Sequence, residues 1–384
     1  MIHRRCWPAI ALLLTTLLLA ACSSPASFGS APVGRGANSS QVVPSEYASM
    51  RDVSFEMFGR NARWPVRSPV EPRKSLVFAS DGGTSGSTGN LCAYASSGMA
   101  QRPLWCQSGS PLKTPGGMWV DASGNLYVAD GGGFVFEYDT PSDSAPGEPS
   151  FTYDDSLGAQ GTQQPQSAVV CGGYLYASNK VGGSGGNTYF SFTVWEIGDA
   201  KPLGIMTRPP YYVDSQGEGQ GLGIACDTEG HVDFAYTAEY AGPGAIDEWT
   251  QANGNTLPAF VETLAAGPNW LQGLAVSHKD LLVTGDPFYT VHRSQQAAIL
   301  FFEPTRAKPA HVCGKQMVPA MSDPYAEAFE LKDKHLWIAD AGNNILYQIV
   351  PATCEVTDTI TIGSNNSPFK ALDGVALSPN GIPL

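Results

Sequence analysis

The stretch Pro115-Gly-Gly-Met-Trp-Val-Asp121-Ala-Ser-Gly-Asn125-Leu-Tyr-Val-Ala-Asp130 holds two short β-rich runs joined by a Gly-Asn turn. Apolar and aromatic runs on either side of such a turn form a β-hairpin. A third run follows at residues 134–138 and a fourth near 151–153. One unit of this chain is therefore four consecutive strands. Strands joined by tight connections pair antiparallel with their neighbours.

The same order returns along the chain. Residues 168–171, 175–179, 189–197 and 203–206 make one copy, and 223–227, 232–236, 245–249 and 259–264 the next. Two more copies occupy 273–276, 281–286, 299–302 and 311–313, then 328–331, 336–340, 345–350 and 355–360. A period of about 45–57 residues with four strands per unit describes propeller blades rather than a solenoid. No stretch sustains a helical apolar stripe between caps. The two ends decide the topology. Leu76-Val-Phe-Ala-Ser-Asp81 matches a second strand with no first strand before it, and Asp373-Gly-Val-Ala-Leu-Ser378 matches a first strand with no second strand after it. Together they make one blade, on condition that the chain closes into a ring, which also removes exposed sheet edges. Second strands beginning at Leu76, Leu126, Leu175, Val232, Leu281 and Leu336 count six blades. The expected fold is an all-β, six-bladed β-propeller of four-stranded antiparallel blades, closed by its N- and C-terminal strands.

These units resemble NHL-type repeats, through residues 117–130 and through Leu336-Trp-Ile-Ala-Asp-Ala-Gly-Asn-Asn-Ile345. The likeness covers most of residues 75–384, closely in those two copies and loosely elsewhere. It implies recognition of proteins or other macromolecules, a broad class, and fold analogy alone does not fix a function.

The N-terminus sets the expected compartment. Arg4 and Arg5 precede an apolar run over residues 9–21 that is short for a bilayer span and suited to a secretory signal. The run ends in Leu19-Ala20-Ala21-Cys22, which resembles the lipobox of bacterial lipoproteins and makes Cys22 the expected lipid-bearing residue. Residues 1–21 are then the signal peptide, the Ser-, Ala-, Gly- and Pro-rich residues 22–46 a flexible tether, 47–74 an irregular strap and 75–384 the propeller. Ser23 after Cys22 favours the outer membrane, facing periplasm or cell surface. Removing Arg4 and Arg5 leaves 20 basic against 35 acidic residues, a net charge of −15. Such a chain repels phosphate backbones, so nucleic acid is excluded as a partner and membrane contact falls to the lipid.

Six cysteines remain in this oxidising setting, and their even number suggests disulfides. Cys92 and Cys106 fall on neighbouring strands of the closing blade, Cys171 and Cys226 on inner strands of adjacent blades, and Cys313 and Cys354 pair by elimination, free buried thiols being the other reading. No CxxC pair supports zinc or redox chemistry.

Antiparallel pairing brings the start of each first strand beside the end of its second strand, so both sets share one mouth of the ring. The closing residues are Asp81, Asp130, Asn179, Asp286 and Asp340, and the opening segments carry Gln166, Gln220, Gln272, Glu327 and Asp373. A mouth ringed by carboxylates and amides suits a protein, glycan or small-molecule ligand, although an Asp ending a strand also caps turns. No cofactor is expected, with a divalent cation in the channel as the exception. Gluconolactonase-like propellers hold such a metal with Glu, Asn and Asp, and Gln272-Gly273 and Asp373-Gly374 stand where they place a Glu-Gly. That resemblance implies a metal-dependent hydrolase or lactonase as the alternative, but Gln is a weak ligand for a hard cation. Gly182-Gly-Ser184-Gly-Gly186 fits GxSxG formally without the helix a nucleophile elbow needs. His231, His278 and His335 read as surface residues on the opposite face, and residues 121–125 as a β-turn rather than a calcium loop.

Overall fold

The computed structural model describes residues 75–378 except the stretches 83–87, 97–101, 140–143, 156–162, 182–190, 208–218, 239–243, 267–269, 292–293, 304–307, 315–316 and 318–319. Cys22, residues 1–21, 22–46 and 47–74, and the GxSxG stretch lie outside the described residues.

The described chain is a six-bladed propeller with almost no helix. Blade one starts with β1 (Leu76–Asp81), β2 (Asn90–Ala95) and β3 (Trp105–Ser108), and blade two is β4 (Pro115–Val120), β5 (Leu126–Asp130), β6 (Phe134–Tyr138) and β7 (Phe151–Asp154). Blade three is β8 (Gln163–Cys171), β9 (Tyr174–Val181), β10 (Ser191–Glu196) and β11 (Gly204–Thr207). Blade four is β12 (Gly219–Cys226), β13 (Val232–Ala238), β14 (Ala245–Trp249) and β15 (Phe260–Ala266). Blade five is β16 (Gln272–Val276), β17 (Leu282–Val291), β18 (Ser294–Phe302) and β19 (His311–Cys313). Blade six is β20 (Pro324–Phe329), β21 (Leu336–Asp340), β22 (Ile345–Val350) and β23 (Glu355–Ile360), and the last strand is β24 (Leu372–Ser378). β24 pairs antiparallel with β1, Leu76 opposite Ser378 and Ala79 opposite Val375, so the chain's ends share blade one. One pair, Gln220 with Lys180, also bridges the sheets of blades three and four.

Blade packing explains why the strands read as unbroken apolar runs. Alternate residues of a strand point to opposite faces, and here each face meets a neighbouring blade. Leu76 and Phe78 join Met118 and Val128 of blade two, while Val77 and Ala79 join Trp337 and Ala339 of blade six. Each remaining interface between successive blades holds its own apolar cluster. Third-strand aromatics Trp195, Trp249, Phe302 and Tyr347 are buried in these clusters. Burying a side chain of the Phe78 class stabilises by about 1.5–3 kcal/mol. Disulfides join Cys92 to Cys106 within blade one, Cys171 to Cys226 between blades three and four, and Cys313 to Cys354 between blades five and six.

All six innermost strands carry a register shift near their start. Beside the shift stand Gly117, Ser167, Gly223, Gly273, Ala326 and Gly374, small in every blade. The reason is close approach of neighbouring inner strands. A Cβ on Gly374 would run into the Gly116 carbonyl, and one on Gly223 into the Gly273 backbone. Replacing Gly374 with Val should therefore destabilise the domain by about 1–3 kcal/mol, the usual cost of overpacking. A urea melt will show this as a lower midpoint at unchanged slope. A midpoint equal to wild type would mean that the strands do not pack this closely.

Candidate functional site

The mouth is built at the starts of the six inner strands, and the second-strand aspartates hold it in shape. Asp130 accepts the amides of Lys113 (2.7 Å) and Thr114 (3.2 Å), just before β4, and that of Gly132 (2.7 Å) after β5. Asp340 does the same for Ser322 (2.9 Å) and Asp323 (2.7 Å), before β20. Asp81 accepts the Ala371 amide (2.7 Å) and the Lys370 amide, before β24. Asp286 accepts the Phe288 amide (2.8 Å) at a bulge within β17. All four are buried. Each carboxylate–amide bond contributes roughly 1.5–3 kcal/mol. The structure thus uses Asp81, Asp130 and Asp340 as latches from the end of a second strand onto the chain entering the first, whereas Asp286, expected to close its strand, lies inside β17, which runs on to Val291. Asn179 works differently, donating to Thr193 Oγ1 (2.9 Å), which donates to Asp155 (2.6 Å).

The opening set divides. A β-bulge leaves its extra residue outside the ladder and re-aims it. In blade three that residue is Gln166, in blade six Tyr325 and in blade one Asp373. These three line a cavity of ≈ 330 Å³ together with Thr114, Gln164 and Pro165. The Tyr325 hydroxyl donates to Gln166 Oε1 (3.3 Å), joining blades on opposite sides of the ring. Gln272 stands beside the shift in blade five and is buried. The backbone of Gln220 lies in β12, and its side chain is outside the described residues. Sequence reading passed over Tyr325, because the bulge shifts the mouth position two residues ahead of the acidic Glu327.

Glu327 sits deeper. In register it matches Met118, Ala168, Ile224, Leu274 and Val375, the apolar lining of the bore. The residue is 7% exposed, and neither carboxylate oxygen has a partner of good hydrogen-bond geometry. Burial raises it well above the usual carboxylate range, and the nearby Gly285 amide offsets little of that. One residue further in, Trp119 stands level with Val169, Ala225, Ala275, Ala328 and Ala376. Its ring packs against the clusters between blades two and three, three and four, and four and five. One indole thus packs into the space that small residues leave, and it lines the bore below the mouth with Ala275, Ala328 and Ala376.

The electrostatics of the mouth are acidic. Burial first, then the charges of Asp81 and Asp323, push Asp373 up to about 7. Burial and Asp340 raise Asp323, and burial with Asp373 and Asp323 raises the Tyr325 phenol. Among the described lining residues of the mouth there is no lysine, arginine or histidine. His278 and His335 pair elsewhere, with Asp333 (3.1 Å) and Glu330 (2.8 Å). Residues 121–125 form a turn closed by Asn125 N–H to Asp121 (2.8 Å).

No family model and no curated protein sequence matches this chain. Solved structures do. The chain is similar to a nidogen/laminin complex structure, with a TM-score of 0.52 and 15% identity over 79% of this chain and 97% of that one. It is similar to the periplasmic gluconolactonase of Pseudomonas aeruginosa, with a TM-score of 0.50 and 11% identity over 80% and 100%. A protein of unknown function from Bacteroides caccae gives 0.51 and 9% identity over 79% and 98%. At these identities the likeness establishes the propeller fold and nothing finer.

Asp373 supplies a pH signature. Its folded value of about 7 lies above the roughly 3.9 of an unfolded Asp. The folded state therefore holds a proton that the unfolded state has released, and stability attributable to this group falls as pH rises between those values. Asp373→Asn should gain melting temperature relative to wild type from pH 4 to 7 and then level off. A difference independent of pH would contradict the buried, charge-crowded placement.

Proposed function

We propose that this chain is an exported, lipid-anchored propeller that binds a ligand at the polar mouth of its channel. The observation behind the reading is the convergence of Gln166, Tyr325 and Asp373, from three separate blades, on a cavity of ≈ 330 Å³. Four second-strand aspartates are committed to holding backbone, whereas these three bulged residues face open space. A cavity of this size suits a small ligand or the end of a larger one. Acidic and amide groups, with no cation among the described lining residues, favour a hydroxylated neutral or a cationic ligand, offered by a glycan, a small molecule or a protein segment. NHL-like repeats in residues 117–130 and 336–345 agree with a recognition role.

The alternative, a metal-dependent hydrolase or lactonase, finds less support. Two clusters among the described residues bring three His, Cys, Asp or Glu ligand atoms within 4.8 Å of one another, and neither is at the mouth. Asp373, Glu327 and Asp323 do not converge there as a metal's carboxylate ligands would. A chelator-sensitive lactonase activity would restore that alternative.

Calorimetry against a panel of neutral oligosaccharides and short lysine-containing peptides tests the binding reading. At least one class should bind, with affinity falling tenfold or more (about 1.4 kcal/mol) in Asp373→Ala and Tyr325→Ala. Unchanged affinity in both variants would remove the mouth as the site.

Export and anchoring rest on the Arg4-Arg5 leader, the apolar run and the lipobox-like residues 19–22. A lipid at Cys22 with the tether of residues 22–46 would hold the propeller at an envelope membrane without a basic patch. Cys22→Ser should move the protein from the membrane to the soluble fraction and abolish incorporation of a labelled fatty acid. Retention in the membrane with undiminished label would exclude Cys22 as the anchor.

A further inference from the structure

A second acidic site lies between blades four and five. Asp227 and His231 belong to the turn that joins β12 to β13, and Glu248 lies on β14 directly opposite Asp233 of β13. The odd-numbered face of β12 and β13 carries Ala225 and Ala235 into the blade four–five cluster. Asp227 and Asp233 share that face. With Glu229, Glu248 and Asp280 they line a cavity of ≈ 120 Å³ whose wall is completed by Leu264 and Leu282.

The atoms meet closely. His231 Nδ1 is 3.1 Å from Asp227 Oδ2 and 3.5 Å from Glu248 Oε1. One ligand atom each from Asp227, His231 and Glu248 falls within a 4.8 Å span. A protonated His231 would answer Asp227 and Glu248, but it leaves Asp233 unanswered. Asp233 is 1% exposed, lines the same cavity, and has no hydrogen-bond partner for either oxygen. Buried polar groups are almost always paired, and buried charges are paired or coordinate metals. No lysine or arginine is among the described lining residues. Asp280 is already engaged, accepting the amide (2.9 Å) and hydroxyl (2.5 Å) of Thr228.

We propose that Asp227, His231, Asp233 and Glu248 form a divalent-cation site that ties the β12–β13 turn to β13 and β14 of blade four. The donor set selects the class. One imidazole with carboxylates suits Zn²⁺ or Mn²⁺, whereas Ca²⁺ takes oxygen ligands throughout. Bonds of about 2.0–2.2 Å to Zn²⁺ place neighbouring ligand atoms a little closer than the present span. A small contraction of the turn bearing Asp227 and His231 closes the site. The cation's role is structural: it neutralises carboxylates held together by the β13–β14 register. The site is separate from the channel mouth and does not depend on what the mouth binds.

The test is metal binding by the purified full chain after chelation and dialysis, titrated with ZnCl₂, MnCl₂ and CaCl₂. Wild type should take up one equivalent of Zn²⁺ or Mn²⁺, with a raised melting temperature. Asp233→Asn and Glu248→Gln, which keep side-chain shape, should each weaken binding at least tenfold, comparable to the loss of a supporting group around a metal. X-ray absorption on the wild-type Zn²⁺ form should show a nitrogen and oxygen shell without sulfur, a readout that stands even where a variant fails to fold. Absence of stoichiometric Zn²⁺ or Mn²⁺ binding would overturn the proposal. So would binding of Ca²⁺ alone, unchanged affinity in both variants, or a shell containing sulfur, which none of the four proposed ligands supplies.

Discussion

The pairing of β24 with β1 is the constraint on which everything else in this molecule rests. Every blade buries both faces against neighbours, so an incomplete blade would expose two apolar surfaces and an unpaired edge. β24 supplies the inner edge of blade one together with Leu372, Val375 and Leu377 of the six–one interface. Closure also demands narrow inner strands, and the succession Gly117, Ser167, Gly223, Gly273, Ala326, Gly374 meets that demand. Side chains of ordinary size at that level would force neighbouring backbones apart. The latches of Asp81, Asp130 and Asp340 then fix where β24, β4 and β20 begin.

A rigid rim has a functional consequence. Latches set the backbone before β20 and β24, and the bulged residues are placed beside them, Tyr325 and Gln166 further tied to each other by a hydrogen bond. Gln166, Tyr325 and Asp373 thereby gain a fixed geometry without being buried in the sheet. The cost is electrostatic: Asp373, Asp323 and the deeper Glu327 are all raised by burial, and none of the described lining residues of the mouth is a cation. Groups kept at such a cost beside a cavity of suitable volume are what the proposed ligand site rests on. The same logic applies between blades four and five, where Asp233 lacks any donor although its neighbours share a histidine.

Much of this was legible in the chain because local and global signals agree. The half repeats at residues 76–81 and 373–378 carried the ring topology, since a second strand without a first has one solution in a closed fold. Blade order and number followed from turns such as 121–125. The aspartates were visible in position but ambiguous in role: Asp130 looks the same whether it faces solvent or the amides of residues 113 and 114. Tyr325 was hidden by the bulge, which no pattern of alternation reveals. Trp119 read as one more apolar residue in a strand, and its reach across the bore depends on the Ala and Val residues at its level in other blades. Asp233 was silent for a similar reason, as a polar residue in a strand ordinarily faces water. Its burial follows from the packing of blade five.

The claim that closure organises the molecule can be measured by amide hydrogen exchange of residues 372–378. If β24 completes blade one, these amides exchange as slowly as those of β5 and β21, and all three are released together with rising denaturant. Exchange of residues 372–378 at the rate of a frayed terminus, with β5 and β21 still protected, would show that the ring is open and contradict the account.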